Sequence, residues 1–410
     1  MAKTTKNKQT PNKQSPAADF DVLVVGGGPV GLSFARMMAP LGCRIGVIEK
    51  QPLDKIARPA DDGREVAVTH RSREILSRNG MLDIMPPDAL HILRAAQVID
   101  RGTAQPLEFS PEGSGKGNIG FVIANHHIRK AAYDAATVCK NIEIMTGETV
   151  TGLTLGSGAA SVTLERGKTL SAPLVVAADN RFSTLRDMAG VETRKLDFKR
   201  LCIVVKITHS KPHDDIASEC FLDGLTLALI PLGDKAASAV LTLPIDEGKK
   251  ILTLSPEDLA EKIYGWADGR IGQVRVTGEM HSYPLVGVYA QEFAKERFAL
   301  LGDAAVGMHP VSAHGFNFGL YGAEALSQAL RRAMLSGLDI GKMSVLAEFA
   351  AIHRRQTRPM YEGINSIVQL YTDDRPAAKL LRKGVLAAGH ALKPVQRLIV
   401  GNLTREKSTE

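Results

Sequence analysis

The pattern Gly26-x-Gly28-x-x-Gly31 lies between an apolar run, Asp21-Val22-Leu23-Val24-Val25, and a helix-favouring stretch from Val30 to Leu41. A second run, Arg44-Ile45-Gly46-Val47-Ile48-Glu49, follows and ends on a carboxylate. Few folds take that order of parts. A short buried strand, a glycine turn, a helix and a second strand make a βαβ unit. In such a unit the glycines let the backbone come close to a pyrophosphate, and the helix N-terminus stabilises its charge. The acid closing the second strand bonds a ribose hydroxyl. The competing reading is a tight structural turn, and the motif alone does not separate FAD from NAD.

At 410 residues the chain is too long for one small core, so two domains are expected. Helical patterns run from Arg71 to Arg78 and from Ile128 to Thr137, with short strands and glycine turns from Asn141 to Leu170. Ala172 to Ala178 reads as another buried strand. From Leu201 to about Val288 the period moves towards two, with strands expected at 201–207, 225–232, 239–243 and 273–277. One helix, Pro256 to Trp266, interrupts them. After the buried run Phe298 to Gly302 the pattern is helical almost to the end. The order α/β, β-rich, α/β suggests a dinucleotide-binding domain split by an inserted substrate domain.

Several function classes drop out. Aromatic residues make up 5% with Trp266 the single tryptophan, which argues against stacked-aromatic nucleic-acid platforms. Lys+Arg 51 against Asp+Glu 44 leaves +7, and Lys3, Lys6, Lys8 and Lys13 hold four of those charges in a tail expected to be disordered. Cys43, Cys139, Cys202 and Cys220 are widely spaced, which speaks against a zinc ribbon and fits a reducing cytosol. His209 and His213 are separated by Pro212 in a strand-and-loop region, so no metal site is expected. No stretch reaches the ~18 to 20 apolar residues of a membrane span. Neither a nucleophile elbow nor a P-loop is present, and the single G-x-G-x-x-G argues against a second nucleotide domain.

Two further stretches carry chemistry. Ala178-Asp179-Asn180-Arg181-Phe182-Ser183-Thr184-Leu185-Arg186 follows a buried strand. Leu301-Gly302-Asp303-Ala304-Ala305 precedes His309-Pro310-Val311-Ser312-Ala313-His314-Gly315-Phe316-Asn317. A carboxylate closing a strand suits hydrogen bonds from a ribityl hydroxyl. A helix starting at Gly315 offers free N–H groups and a positive dipole end to a reduced flavin ring. Taken alone, each stretch reads more readily as a capped loop than as a site.

In this order the three motifs resemble the single-component FAD-dependent aromatic hydroxylases, the group of para-hydroxybenzoate hydroxylase. Asp62-Gly63-Arg64 matches the family arginine that reaches FAD, with a surface charge as the plain alternative, and Asn125 stands at a flavin-contacting polar position. Within the group the chain is similar to the ubiquinone-biosynthesis hydroxylases. His213, Ala217, Glu219, Phe221, Gly224 and Ala228 to Leu232 follow their substrate-sheet pattern, and Leu370 to Asn402 resembles their C-terminal helix. Two departures stand out: Asn180 replaces a usual glycine, and Ala313-His314-Gly315 replaces Gly-Gln-Gly. His314 is similar to the variant of the broad-regioselectivity members; a cationic ring there would tune the flavin, and a neutral one would only fill the glutamine's volume.

The resemblance implies a Rossmann-like α/β FAD-binding domain at 20–75, 116–192 and 289–374, with an inserted antiparallel β-sheet substrate domain at 76–115 and 193–288. A basic tail at 1–19 and a C-terminal helical extension at 375–410 complete it. Cofactor contacts are implied at Gly26, Gly28, Pro29, Gly31, Glu49, Lys50, Arg64, Asn125, Val150, Asp179, Gly302, Asp303, Pro310, Gly315, Phe316 and Asn317. Pro310, His314 and Gly315 are implied at the reacting ring. The implied reaction is hydroxylation of a polyprenylated phenol or quinol by O2 through a C4a-hydroperoxyflavin, at one or more ring positions, with NAD(P)H or another reductant. A hydroxylase or epoxidase of a soluble aromatic metabolite is the rival enzyme, and a non-catalytic flavin-binding component of a quinone-biosynthesis complex the rival outside enzymes. A cytoplasmic protein that visits the inner face of the membrane is expected. The C-terminal basic residues, among them Arg382, Lys383 and Arg397 beside Leu380, Leu381 and Leu386, suit such a surface, and read as readily as a solvated helix face packed on its own core.

Overall fold

The computed structural model describes residues 18–100, 106–112, 115–222, 224–309, 314–372 and 401. Pro310, Ala313 and, apart from residue 401, the expected C-terminal segment lie outside them. Of the expected tail, Ala18 and Asp19 are described, and the Asp19 carboxylate accepts bonds from the Ser171 amide and hydroxyl, both at 2.8 Å.

The first apolar runs form the middle of a six-stranded sheet. Its order is Ala294–Lys295, Phe298–Leu300, Leu174–Ala177, Val22–Val25, Ile45–Glu49 and Ile142–Thr146. All neighbours are parallel except the first pair. Val22–Val25 and Leu174–Ala177 are buried throughout, as continuous apolar strands covered on both faces must be. The helix after the glycine turn spans Pro29–Met38 and tightens into a 3-10 turn at Ala39–Leu41. Pro40, which lacks an N–H, and Gly42 at φ +76° end it earlier than the sequence pattern suggests.

The β-rich stretch builds a nine-stranded sheet. Thr193–His209, Ala236–Pro244, Thr226–Pro231 and Ile216–Phe221 run antiparallel in that order, and Ala95–Asp100 adds in parallel. The strand expected over seven residues from Leu201 is seventeen residues long, because it bends onto His281–Ala290 with a register shift between Asp197 and Leu201. His281–Ala290 itself escapes sequence reading: Pro284 and Gly287 are poor strand formers, and pairing with the long strand holds them. A short helix, Ile245–Ile251, is also additional.

One face of this sheet carries Ile203, Val205, Ile207, Leu227, Leu229 and Leu241, packed beneath Leu259 and Ile263 of the helix Pro256–Trp266. The other face, with Cys202, Val204 and Leu285, turns towards the nucleotide-type sheet. There the loop at Gly63 comes so near that a Cβ on it would lie 2.6 Å from His281 and 3.0 Å from Val204. The helices Gly315–Leu335 and Met343–Thr372 close the fold. Among the described residues no helix is long and apolar enough to cross a membrane.

Candidate cofactor and active site

The glycine turn is held from both sides. Gly26 takes φ +115°, and a Cβ on it would lie 2.3 Å from the Ala178 carbonyl oxygen. A Cβ on Gly31 would lie 2.1 Å from the Gly26 carbonyl oxygen, so helix and turn approach as only glycines permit. Gly28 differs. Its backbone, φ −74° and ψ 175°, suits any residue, and nothing lies within 4 Å of where its Cβ would stand. The third motif glycine is needed for packing, whereas Gly28 borders open space at the start of the Pro29–Met38 helix. No side chain caps that helix start.

Glu49 is buried and fixed by two backbone bonds: Gly27 N–H donates to Oε2 at 2.6 Å and Gln51 N–H to Oε1 at 2.8 Å. Each oxygen keeps a lone pair for a ribose hydroxyl. An uncapped helix start, an open glycine and an anchored carboxylate fit the adenosine diphosphate half of FAD. Lys50 next to it is exposed, and Val150 is buried at the start of the strand Val150–Leu155.

The second and third motifs meet across the sheet. Arg181 donates to Asp303 Oδ2 through Nη2 at 2.7 Å and Nε at 3.1 Å, and its Nη1 reaches the Val286 carbonyl at 3.1 Å. Arg186, fully buried, donates through Nη1 to the Ala304 carbonyl at 3.0 Å and to the Arg181 carbonyl at 3.3 Å. The two arginines therefore tie the loop after Asp179 to the 3-10 turn Gly302–Ala304. Asn180 Oδ1 accepts from Phe182 N–H at 2.7 Å and closes a local turn without a positive φ, so the missing glycine is not required by the backbone. Asp179 Oδ1 is buried with no hydrogen-bond partner among the described residues, and burial pushes its carboxyl up.

Gly315 opens the long helix Gly315–Leu335 close to Asp303: a Cβ on it would stand 4.0 Å from Asp303 Oδ1. His314 caps the helix through its backbone only, and its ring lies 5.6 Å from that of Phe318. Phe316 packs against the main core. The buried Asn317 side chain is spent on the strand Glu65–Val68 and the helix that follows it. Its Oδ1 accepts from Thr69 N–H at 3.1 Å, and its Nδ2 donates to the Ala67 carbonyl at 2.8 Å.

Arg64 leans over Tyr283, 5.3 Å from the ring centroid, and pairs with Asp62 at 2.5 Å. Asn125 Nδ2 donates to the same Asp62 oxygen at 2.8 Å, and Asn125 N–H to the Arg64 carbonyl at 2.9 Å. That last bond starts the helix Asn125–Thr137 three residues before the apolar periodicity does. Burial works to raise the Asp62 carboxyl, but the Arg64 guanidinium and the Asn125 amide outweigh it and hold it below the usual carboxylate range. Arg64 and Asn125 thus share one support.

His209 and His213 are committed to backbone. His209 Nδ1 meets the Lys211 carbonyl at 2.7 Å, and His213 Nε2 meets the Ala236 carbonyl at 3.0 Å. Sequence reasoning missed the roles of Arg181 and Arg186, although both stand in a motif it singled out. Two arginines within eight residues of a strand-closing aspartate were the available signal.

Residues 19–338 match a family model described as the FAD binding domain. The ubiquinone hydroxylase UbiM of Neisseria meningitidis is 40% identical over 388 residues, covering 94% of this chain and 84% of that protein. The ubiquinone hydroxylase UbiL of Rhodospirillum rubrum is 30% identical, covering 93% of this chain and 88% of its own. Among solved structures, p-nitrophenol 4-monooxygenase PnpA from Pseudomonas putida superposes with a TM-score of 0.72 at 20% identity, covering 93% of this chain and 96% of that one. The last likeness is one of fold.

Proposed function

The chain belongs to the FAD-binding domain family, and from that premise we propose that it hydroxylates the ring of a polyprenylated phenol or quinol intermediate of ubiquinone biosynthesis. The observation that carries this reading is the 40% identity to a protein named a ubiquinone hydroxylase, sustained over 94% of the chain. The site supports it, since the glycine turn, Glu49, Asp303 and the start of the Gly315–Leu335 helix suit the parts of FAD in turn.

FAD, when bound, supplies the electron transfer and oxygen activation, and the protein supplies binding, orientation and exclusion of water. The start of the Pro29–Met38 helix holds the pyrophosphate charge, and Glu49 accepts from the ribose. Asp303, fixed by Arg181, accepts from the ribityl chain. The start of the Gly315–Leu335 helix, which the His314 side chain does not cap, would present a positive dipole end to the negative charge of a reduced ring. Pro310, His314 and Gly315 border the reacting edge in this reading. Burial, with Arg200 and Arg181 nearby, pushes His309 down to about 4, so it stays neutral there. The substrate lies between the flavin and the sheet face of Cys202, Val204 and Leu285.

The inserted sheet segments at 76–115 and 193–288 form the substrate part in this reading, and the three remaining parts the FAD domain. NAD(P)H or another donor supplies electrons. The basic and apolar residues beyond 372 serve contact with an anionic membrane surface or with a quinone-biosynthesis complex. The test is genetic. Cells lacking the gene should accumulate a prenylated phenol short of one or more ring hydroxyls, and an unchanged quinone profile would remove the reading.

A further inference from the structure

The face of the nine-stranded sheet that meets the Gly63 loop carries the carboxyl of Glu219, which forms no ion pair among the described residues. Registered pairs place Glu219 beside Ala228, Ala228 beside Val240, and Val240 beside Val204. In the parallel direction Glu219 pairs with Val98. Side chains in one such row point to one face. Glu219 therefore lies in an apolar row with Val204, which belongs to the cluster of Cys202 and Leu285.

Three small clusters flank this row. Ala217 and Ile230 pack against Leu93 and Val122 on one side. Phe221 packs with Leu107 and Leu370 on another. On the third, Phe198 joins the Cys202–Leu285 cluster and meets the His309 ring edge-on at 4.8 Å, just ahead of Pro310. Glu219, Ala228 and Val240 themselves remain partly accessible. The row lies on the face that meets the Gly63 loop through Val204 and the His309 ring through Phe198.

Resting on the function proposed above, we propose that Glu219 touches the substrate, its carboxyl donating a hydrogen bond to the ring oxygen of the bound phenol or quinol. Its described partner is the Thr226 hydroxyl, and no cation among the described residues acts on it; burial pushes the carboxyl up to about 8. Below that pH it is a neutral donor in an apolar wall, which suits a neutral oxygen-bearing ring. Apart from Asp100, the other titrating or charged groups on this face are engaged by partners of their own. Cys202 is pushed up to about 12 by burial and by Glu219 itself. Lys206, two pairs from Val204, is committed to Asp61 at 2.6 Å and Glu65 at 3.5 Å. Tyr283 donates to the Asp62 carbonyl at 2.6 Å, Arg200 to the Gly224 carbonyl at 3.0 Å, and His281 lies under the Gly63 loop. Asp100 stands one pair along, opposite Phe221.

The experiment titrates the FAD-loaded full-length protein with 2-geranylphenol, reading the flavin absorbance change from pH 6 to pH 9. The probe's own hydroxyl, like that of tyrosine, ionises near ~10 and stays largely neutral. The wild type should bind evenly up to about pH 7.5 and about tenfold more weakly at pH 9, as the donor proton is lost. Glu219→Gln keeps an amide donor and should bind as wild type at pH 7 with a flat profile to pH 9. Glu219→Leu should bind about tenfold more weakly at pH 7, also with a flat profile. A Glu219→Gln protein that keeps the wild-type pH profile, or a wild type that binds more tightly as pH rises, overturns the assignment of Glu219. A wild type whose flavin does not respond to the probe at any pH overturns the phenol reading, and this inference with it.

Discussion

Gly28→Ala should yield a protein that folds as well as the wild type but has lost FAD, while Gly31→Ala should damage the fold itself. The two positions look alike in the sequence and differ in space. A methyl group on Gly31 meets the Gly26 carbonyl oxygen at 2.1 Å, a backbone atom that cannot move aside without shifting the strand Val22–Val25. Such overpacking costs roughly 1–3 kcal/mol or more, several degrees of melting temperature. A methyl group on Gly28 meets no protein atom within 4 Å, and its backbone angles are open to alanine. The room it takes is the room a pyrophosphate needs. Melting of the flavin-stripped proteins should therefore separate Gly31→Ala from the other two, and FAD titration should separate both variants from the wild type by tenfold or more, ~1.4 kcal/mol. If Gly28→Ala bound FAD as the wild type does, that open space would not be the cofactor's.

Asp303→Ala should weaken FAD by about tenfold or more. Hydrogen bonds to a charged acceptor are worth ~1.5–3 kcal/mol, and the carboxylate is held in place by two bonds from Arg181. The substitution also releases Arg181, which among the described residues keeps its bond to the Val286 carbonyl at 3.1 Å. Asp303→Asn retains an acceptor oxygen but loses the ion pair, so its loss should be smaller. Equilibrium dialysis of FAD against the three proteins decides it. Undiminished affinity in Asp303→Ala would remove Asp303 from the site.

The parts of this fold that were legible in the sequence are those whose cause is local. The turn at Gly26, the buried strand Val22–Val25 and the acid at Glu49 lie within one supersecondary unit, and each needs residue types that the sequence displays directly. What stayed hidden depends on partners far along the chain. Arg181 and Asp303 are 122 positions apart, and the buried Arg186 is received by the carbonyls of Arg181 and Ala304, the latter 118 positions away, beside its ion pair with Asp187. His281–Ala290 contains a proline and becomes a strand through its pairing with Thr193–His209. Arg297, fully buried and at φ +65°, looks like a surface charge until Asp339 and the Ser157 carbonyl are seen around it. Asn317 is expected at the site from its motif, but its amide serves the backbone at Ala67 and Thr69. Side-chain chemistry names candidates, and the fold decides which atoms of each are still free.

The most direct test of the account is a single turnover in labelled oxygen. The FAD-loaded protein is reduced photochemically without air in the presence of a prenylated phenol, so that no assumption about the natural electron donor enters, and 18O2 is then admitted. The account predicts a ring-hydroxylated product carrying the label in its new hydroxyl, at about one equivalent per flavin. Reoxidation of the flavin with the label recovered only in hydrogen peroxide, and the phenol returned unchanged, would contradict it.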